Sequence, residues 1–134
     1  MEFQRTVAIT KIDAEQRIVW GWAYVSEENG AQVVDHSEEI IKSADAQAMA
    51  HGFVEDSRRG GVTHTEGVTG GCVVDSLFFS REVQAALGID LKKVGWFIGY
   101  RVDDDAAWEG VKSGKYRAFS IGGYCDVEAL DAAA

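Results

Sequence analysis

Apolar positions along the chain follow two periods, and the boundaries between them divide it into elements. β-Branched and aromatic residues crowd positions 3–9 and 17–25, with the polar triplet Asp13-Ala14-Glu15 between them, a pattern that predicts two strands joined as a hairpin. Glu27-Glu28-Asn29-Gly30 predicts a second turn, followed by a short extended piece over 31–35 and polar residues through Glu39. From Ser43 the period lengthens. Ala46, Met49, Ala50 and Phe53 recur at helical spacing, with Ser43 suited to the N-cap, Asp45 to the first turn, and an end near Ser57. Positions 62–79 read as strand, broken or bulged at Gly70 and Gly71. Ser80 then caps a short helix that places Val83 and Leu87 on one face and stops at Gly88. Positions 94–102 are again strand. Asp103 to Asp105 open a third helix containing Trp108 and Val111 and ending at Gly114, and a last strand runs from Tyr116 to about Val127.

Six or seven strands with three short helices between them predict an α+β domain, built on a small, mostly antiparallel, barrel-like sheet. At 134 residues the chain is expected to form one domain over 1–134. Hydrophobic residues at 46% and charged residues at 26% rule out a disordered chain. There is no proline, so the 15 glycines must supply the turns.

Charge narrows the partners. Thirteen Lys and Arg against 22 Asp and Glu leave a net charge of −9, which argues against nucleic acid. No membrane association is expected either, because the longest apolar run, 18–25, falls far short of the roughly 20 residues of a spanning helix. The first eleven residues carry Glu2, Arg5 and Lys11 and lack the apolar stretch of a signal peptide. Cys72 and Cys125 are too few for a disulfide framework and are expected to be thiols in a cytosol-like compartment.

Three histidines are available for acid–base work. His51 falls off the helical stripe and reads as solvent-facing; His36 sits in a polar segment and reads as a loop residue. His64 lies in Gly61-Val62-Thr63-His64-Thr65-Glu66-Gly67, where Glu66, two residues on, would project to the same side of a strand and could orient the imidazole. Most serines have simple readings: Ser43 and Ser80 as caps, and Ser26, Ser37, Ser57 and Ser113 in polar or terminal segments. Ser120 differs, because it is embedded in the apolar strand Ala118-Phe119-Ser120-Ile121-Gly122-Gly123, where an unpartnered hydroxyl costs free energy. It is either a strand serine bonded to backbone or a nucleophile. In the second case the N–H groups of Ile121, Gly122 and Gly123 are candidates for an oxyanion hole. No Cys or His spacing suits a metal, and no nucleotide-binding glycine motif occurs, so neither metal nor cofactor is expected. The four tryptophans, Trp20, Trp22, Trp96 and Trp108, read as core or interface.

Taken in order, Val19-Trp20-Gly21-Trp22-Ala23-Tyr24-Val25, the His64 segment, Val73-Val74-Asp75-Ser76, Leu87-Gly88-Ile89-Asp90, Val94-Gly95-Trp96-Phe97-Ile98-Gly99 and the Ser120 strand resemble the phage prohead serine proteases of the XkdF-like type. Those are related to the HK97-type maturation proteases and to herpesvirus assemblin. The resemblance implies a serine endopeptidase that cleaves scaffolding protein, major capsid protein and itself in the host cytoplasm, inside an assembling prohead. It matches His64 to the catalytic histidine and Ser120 to the nucleophile, and it implies a homodimer. Family members commonly carry an acidic D-x-x-G-D motif where this chain has Asp35-His36-Ser37-Glu38-Glu39, so the role of Asp35 stays open. For the third catalytic group, Glu66 is one candidate. Asp126 and Glu128 are the others, because alternation along a continuing strand puts them on the side of Ser120. A C-terminal extension that is missing or removed would leave that group elsewhere. Two rival readings are a catalytically inactive, head-associated structural or scaffold-binding domain of the same fold, and a small-substrate esterase or amidase using the same Ser120 and His64.

Overall fold

The computed structural model describes residues 4–33, 41–58, 71–122 and 126–129. Among these residues the chain forms eight strands and three helices: β1 (Gln4–Ala8), β2 (Lys11–Asp13), β3 (Ile18–Glu28), β4 (Ala31–Gln32), α1 (Ser43–Arg58), β5 (Gly71–Phe79), α2 (Arg81–Leu87), β6 (Lys93–Val102), α3 (Asp105–Lys112), β7 (Ala118–Gly122) and β8 (Asp126–Glu128). The α+β class and the antiparallel pairing are as expected. The strands are divided between two sheets, one of three strands in the order β1-β7-β8, the other in the order β2-β3-β6-β5 with β4 beside β3, so the arrangement is not a closed barrel. The count exceeds six or seven because β2, β4 and β8 are only two or three residues long. Pieces that short carry no visible period.

The first strand does not form the expected hairpin. β3 is the longest strand and its hairpin partner is β2, closed by Asp13, whose carboxylate accepts the Gln16 N–H at 3.1 Å. β1 instead pairs with β7, from Gln4↔Gly122 to Ala8↔Ala118. The exchange of partners falls between two residues: the Ile9 N–H donates to the Arg117 carbonyl (2.9 Å) and the Thr10 N–H to the Trp20 carbonyl (2.7 Å). Gly21 lets β1 lie against the face of β3, since a Cβ there would come within 2.3 Å of the Ala8 carbonyl oxygen and 2.6 Å of the Val7 side chain.

α1 buries the predicted stripe. Ala46 and Ala50 are buried, Met49 and Phe53 pack on the core, and the Phe53 ring lies 5.5 Å from Trp96 of β6. The opposite face of the large sheet carries Trp20, Trp22, Phe79 and Phe97, with ring centroids 5.1–6.1 Å apart in the contacting pairs. The tryptophans thus divide: Trp96 and Trp108 are buried, Trp20 and Trp22 half-buried.

Ser43 has a different role from the expected cap. The Ala46 N–H reaches the Lys42 carbonyl, so the helix is already entered at Ser43, and the hydroxyl of Ser43 turns to β3. It donates to Glu27 Oε2 (2.7 Å) and lies 2.8 Å from the hydroxyl of buried Ser26. With the Ser43 proton given to Glu27, the single Ser26 proton is shared between the Ser43 oxygen and the Val94 carbonyl at 3.1 Å. α2 follows the sequence closely: Ser80 Oγ accepts the Val83 N–H at 3.1 Å, and Gly88 closes the helix at φ 69°. α3 is capped by Asp104, whose carboxylate accepts the Ala107 N–H at 2.8 Å.

Candidate active site

β7 is the middle strand of the small sheet. β1 and β8 lie along its two edges, with Thr6 and Asp126 the register partners of Ser120. Alternation puts Phe119 and Ile121 on one face and Ala118 and Ser120 on the other. Phe119 stacks on Tyr100 of β6, centroids 5.2 Å apart and planes 10° from parallel, and this contact joins the two sheets. Both faces of β7 are buried: Ala118, Phe119 and Ile121 are fully enclosed and Ser120 is 1% exposed.

The Ser120 hydroxyl is the outlier. Its Oγ is buried and has no hydrogen-bond partner among the described residues. The alternative weighed above, a hydroxyl bonded to nearby backbone, is therefore not what the described residues show. A buried hydroxyl left in this state costs about 1–3 kcal/mol, and such groups call for an explanation in a native fold. The other buried serines have partners: Ser26 is bonded to Ser43, and Ser80 caps α2. Ser76, which the sequence reading passes over as a serine, accepts the indole N–H of Trp96 at 2.7 Å.

The predicted last strand is divided. The chain leaves β7 at Gly122 and returns as β8, antiparallel to it. Asp126 and Glu128 therefore do not lie further along the serine's own strand, as alternation over a single strand supposed. Asp126 is directly across from Ser120, and Glu128 across from Ala118. The sequence does carry a signal for this reversal, the turn-forming pair Gly122-Gly123, but the sequence reading assigns those glycines to an oxyanion hole, and Tyr124 and Cys125 continue the apolar run beyond them. Of the oxyanion candidates, Ile121 and Gly122 sit in the paired part of β7, opposite Arg5 and Gln4. His64, Glu66 and Gly123 lie outside the described residues, as do Asp35 and His36. His51 is exposed on α1, as its place off the stripe implies.

Among the described residues a cavity of about 510 Å³ opens elsewhere, between the turn that follows β3 and the loop that precedes β6, and none of its lining residues belongs to β1, β7 or β8. Cys72, at the start of β5, is a thiol whose pKa is pushed up by partial burial and by the Asp103 carboxylate, partly offset by Arg101. No described helix is long and apolar enough to cross a membrane.

With this geometry in place, comparison with known proteins is informative. The chain is 28% identical over 123 residues, 91% of its length, to the uncharacterized protein YqbD of Bacillus subtilis (strain 168). It spans only 36% of that relative's length. No solved structure matches it. Residues 6–129 match the family described as "Putative phage serine protease XkdF", and the chain belongs to that family.

Proposed function

We propose that the chain is a serine endopeptidase of phage head maturation, cleaving segments of scaffolding and capsid protein, and itself, as a prohead assembles. Ser120 is the nucleophile and His64 its base. One observation carries the reading beyond family membership: the Ser120 hydroxyl is buried in β7 with no described residue bonding it. A structural strand serine would be expected to spend its proton on a neighbouring carbonyl; a nucleophile keeps it for a base. His64 would take that proton as Ser120 Oγ attacks the peptide carbonyl, forming the acyl-enzyme and returning the proton to the leaving amine; water then releases the acyl group by the same route. Asp126, Glu66 and Glu128 are the candidates for orienting the imidazole. Asp126 is favoured by its register opposite Ser120.

The same burial supports a second reading. At 1% exposure Ser120 is closed to a peptide carbonyl in this conformation, as it would be in an inactive, head-associated domain that retains the fold. Labelling of the native chain with a fluorophosphonate, read by mass spectrometry beside Ser120→Ala and His64→Ala, separates the two. Capture at Ser120 that is lost in His64→Ala establishes the activated serine. A folded chain that takes no label at Ser120, including at concentrations that favour self-association, establishes the inactive domain. Turnover of small esters with scaffold protein left intact would instead point to the esterase.

A further inference from the structure

The cavity remote from Ser120 is lined by Glu27 and Asn29 at the end of β3, Arg81 at the start of α2, Asp90 and Lys92 in the loop before β6, and Lys93 at the start of β6. We propose that it is a binding site for an acidic peptide segment that also carries aliphatic side chains. The proposal rests on the endopeptidase reading only in taking the partner to be a polypeptide.

Charge is the first argument. Three of the chain's 13 Lys and Arg line this cleft against two carboxylates, which makes it locally cationic on a chain of net charge −9. Two of the cations have partners that water already loosens. Arg81 pairs with Glu27 and Lys92 with Asp90 at 3.1 Å, yet the Arg81 and Lys92 side chains are 68% and 70% exposed. The Lys92–Asp90 pair, exposed on both sides, exchanges one carboxylate for another at little cost; Glu27 is only 20% exposed, so the exchange at Arg81 costs more. Glu27 is already held by the Ser43 hydroxyl, so it has a donor left when Arg81 turns to a ligand. Lys93, the third lining cation, has no carboxylate partner among the described ion pairs and holds its ammonium 5.7 Å from the centre of the Trp22 ring.

The second argument is preorganisation. The Asn29 N–H donates to the Lys92 carbonyl at 2.7 Å, tying the two walls together, and both residues hold positive φ (53° and 62°), a conformation non-glycine residues adopt at a cost. Buried Gln84 fastens the loop from behind: its amide donates to the carbonyls of Phe79 (3.0 Å) and Lys93 (2.7 Å), and its oxygen accepts the Leu91 N–H (2.8 Å). A frame fixed in this way loses little entropy when a ligand arrives. On this fixed loop Ile89 and Leu91 stand 40% and 37% exposed on either side of Asp90. With Val94 in the cleft wall and these two exposed aliphatic residues flanking the lining residue Asp90 in the chain, the cationic cleft suits a peptide of acidic and aliphatic residues better than a bare inorganic anion.

The test is equilibrium binding of a dye-labelled hexapeptide alternating Glu and Leu to the Ser120→Ala chain, which cannot turn it over, followed by anisotropy. The Arg81→Gln, Lys92→Gln double variant should bind about tenfold more weakly, as should a peptide with Gln for every Glu. Asp90→Asn, which frees Lys92, should bind more tightly; a merely structural role for the loop predicts no gain. Where the double variant shifts the melting temperature, Asp90→Asn and Lys93→Gln decide the matter. Equal affinity of the double variant or of the Gln peptide, or full displacement of the peptide by inorganic phosphate at low millimolar concentration, overturns the proposal. Fluorophosphonate capture at Ser120 reports on the catalytic reading separately, so failure of one is distinguishable from failure of the other.

Discussion

Replacing Ser120 with alanine should make the protein more stable. Ser120 is 1% exposed and no described residue bonds its hydroxyl, so a resting state in which His64 does not yet hold that proton bears a desolvation cost of about 1–3 kcal/mol that the unfolded chain, bonded to water, does not. Alanine keeps the Cβ and removes only the oxygen. The dispersion contacts of one atom, on the order of a few tenths of a kcal/mol, are lost in exchange, which leaves a net gain of about 1–2 kcal/mol. For a domain of this size, about 3–5 °C of melting temperature corresponds to each kcal/mol, so the variant should melt about 3–10 °C higher. The assay is thermal unfolding followed by circular dichroism, supported by urea titration in which the midpoint rises at unchanged slope. Fluorophosphonate labelling should be abolished in the same variant. Together these would mark a site where stability has been given up for reactivity. A melting temperature that falls by 3 °C or more would show that the hydroxyl is already bonded in the resting chain, by His64 or by backbone, and would refute the reasoning.

Gly21→Ala should act oppositely, because its Cβ would meet the Ala8 carbonyl at 2.3 Å and force β1 away from β3; we expect a loss of about 2–3 kcal/mol, read by the same melt. Glu27 has its pKa held below the ordinary 4.5 by the Ser43 hydroxyl first and by Arg81 second. A depressed carboxylate contributes stability above its unfolded value and loses it as pH falls through the folded value, so the stability difference between the native chain and Glu27→Gln should be constant above about pH 5.5 and shrink steadily below pH 4.5. A difference that does not change between pH 6 and pH 3 would contradict this. Cys72 should alkylate with iodoacetamide more slowly than free cysteine at pH 8, since burial raises its pKa and thins its thiolate; peptide mapping resolves it from Cys125.

What the sequence reveals divides by range. α2 is legible almost to the residue, because a serine cap and a left-handed glycine act within a single helical turn. α1 is legible through its stripe and β6 through its aromatic run. Partner choice is not legible. Nothing in residues 4–8 distinguishes a strand that pairs with β3 from one that pairs with β7, because the partner it takes lies near the other end of the chain and the room it needs on β3 comes from the missing Cβ of Gly21. The site shows the same division. The apolar neighbours of Ser120 announced a buried hydroxyl, whereas the place of Asp126 depended on a reversal between β7 and β8 whose one signal, Gly122-Gly123, reads equally well as part of a strand beside a substrate. His64 is assigned from motif order, and Glu66 from its place two residues further along a predicted strand.

The central place of β7 has a consequence for how any polypeptide reaches Ser120. Many proteins that read extended peptides do so by strand addition, lending the backbone edge of a sheet to the incoming chain. Here the serine's strand has no such edge to lend, since β1 occupies one side across Thr6↔Ser120 and β8 the other across Ser120↔Asp126. A peptide cleaved at Ser120 would therefore have to enter across a face of the sheet that is covered in this conformation, with its main-chain ladder supplied by some other element or by none. Recognition of this kind depends on side-chain shape and local extension, and selects for segments already unfolded in their own protein.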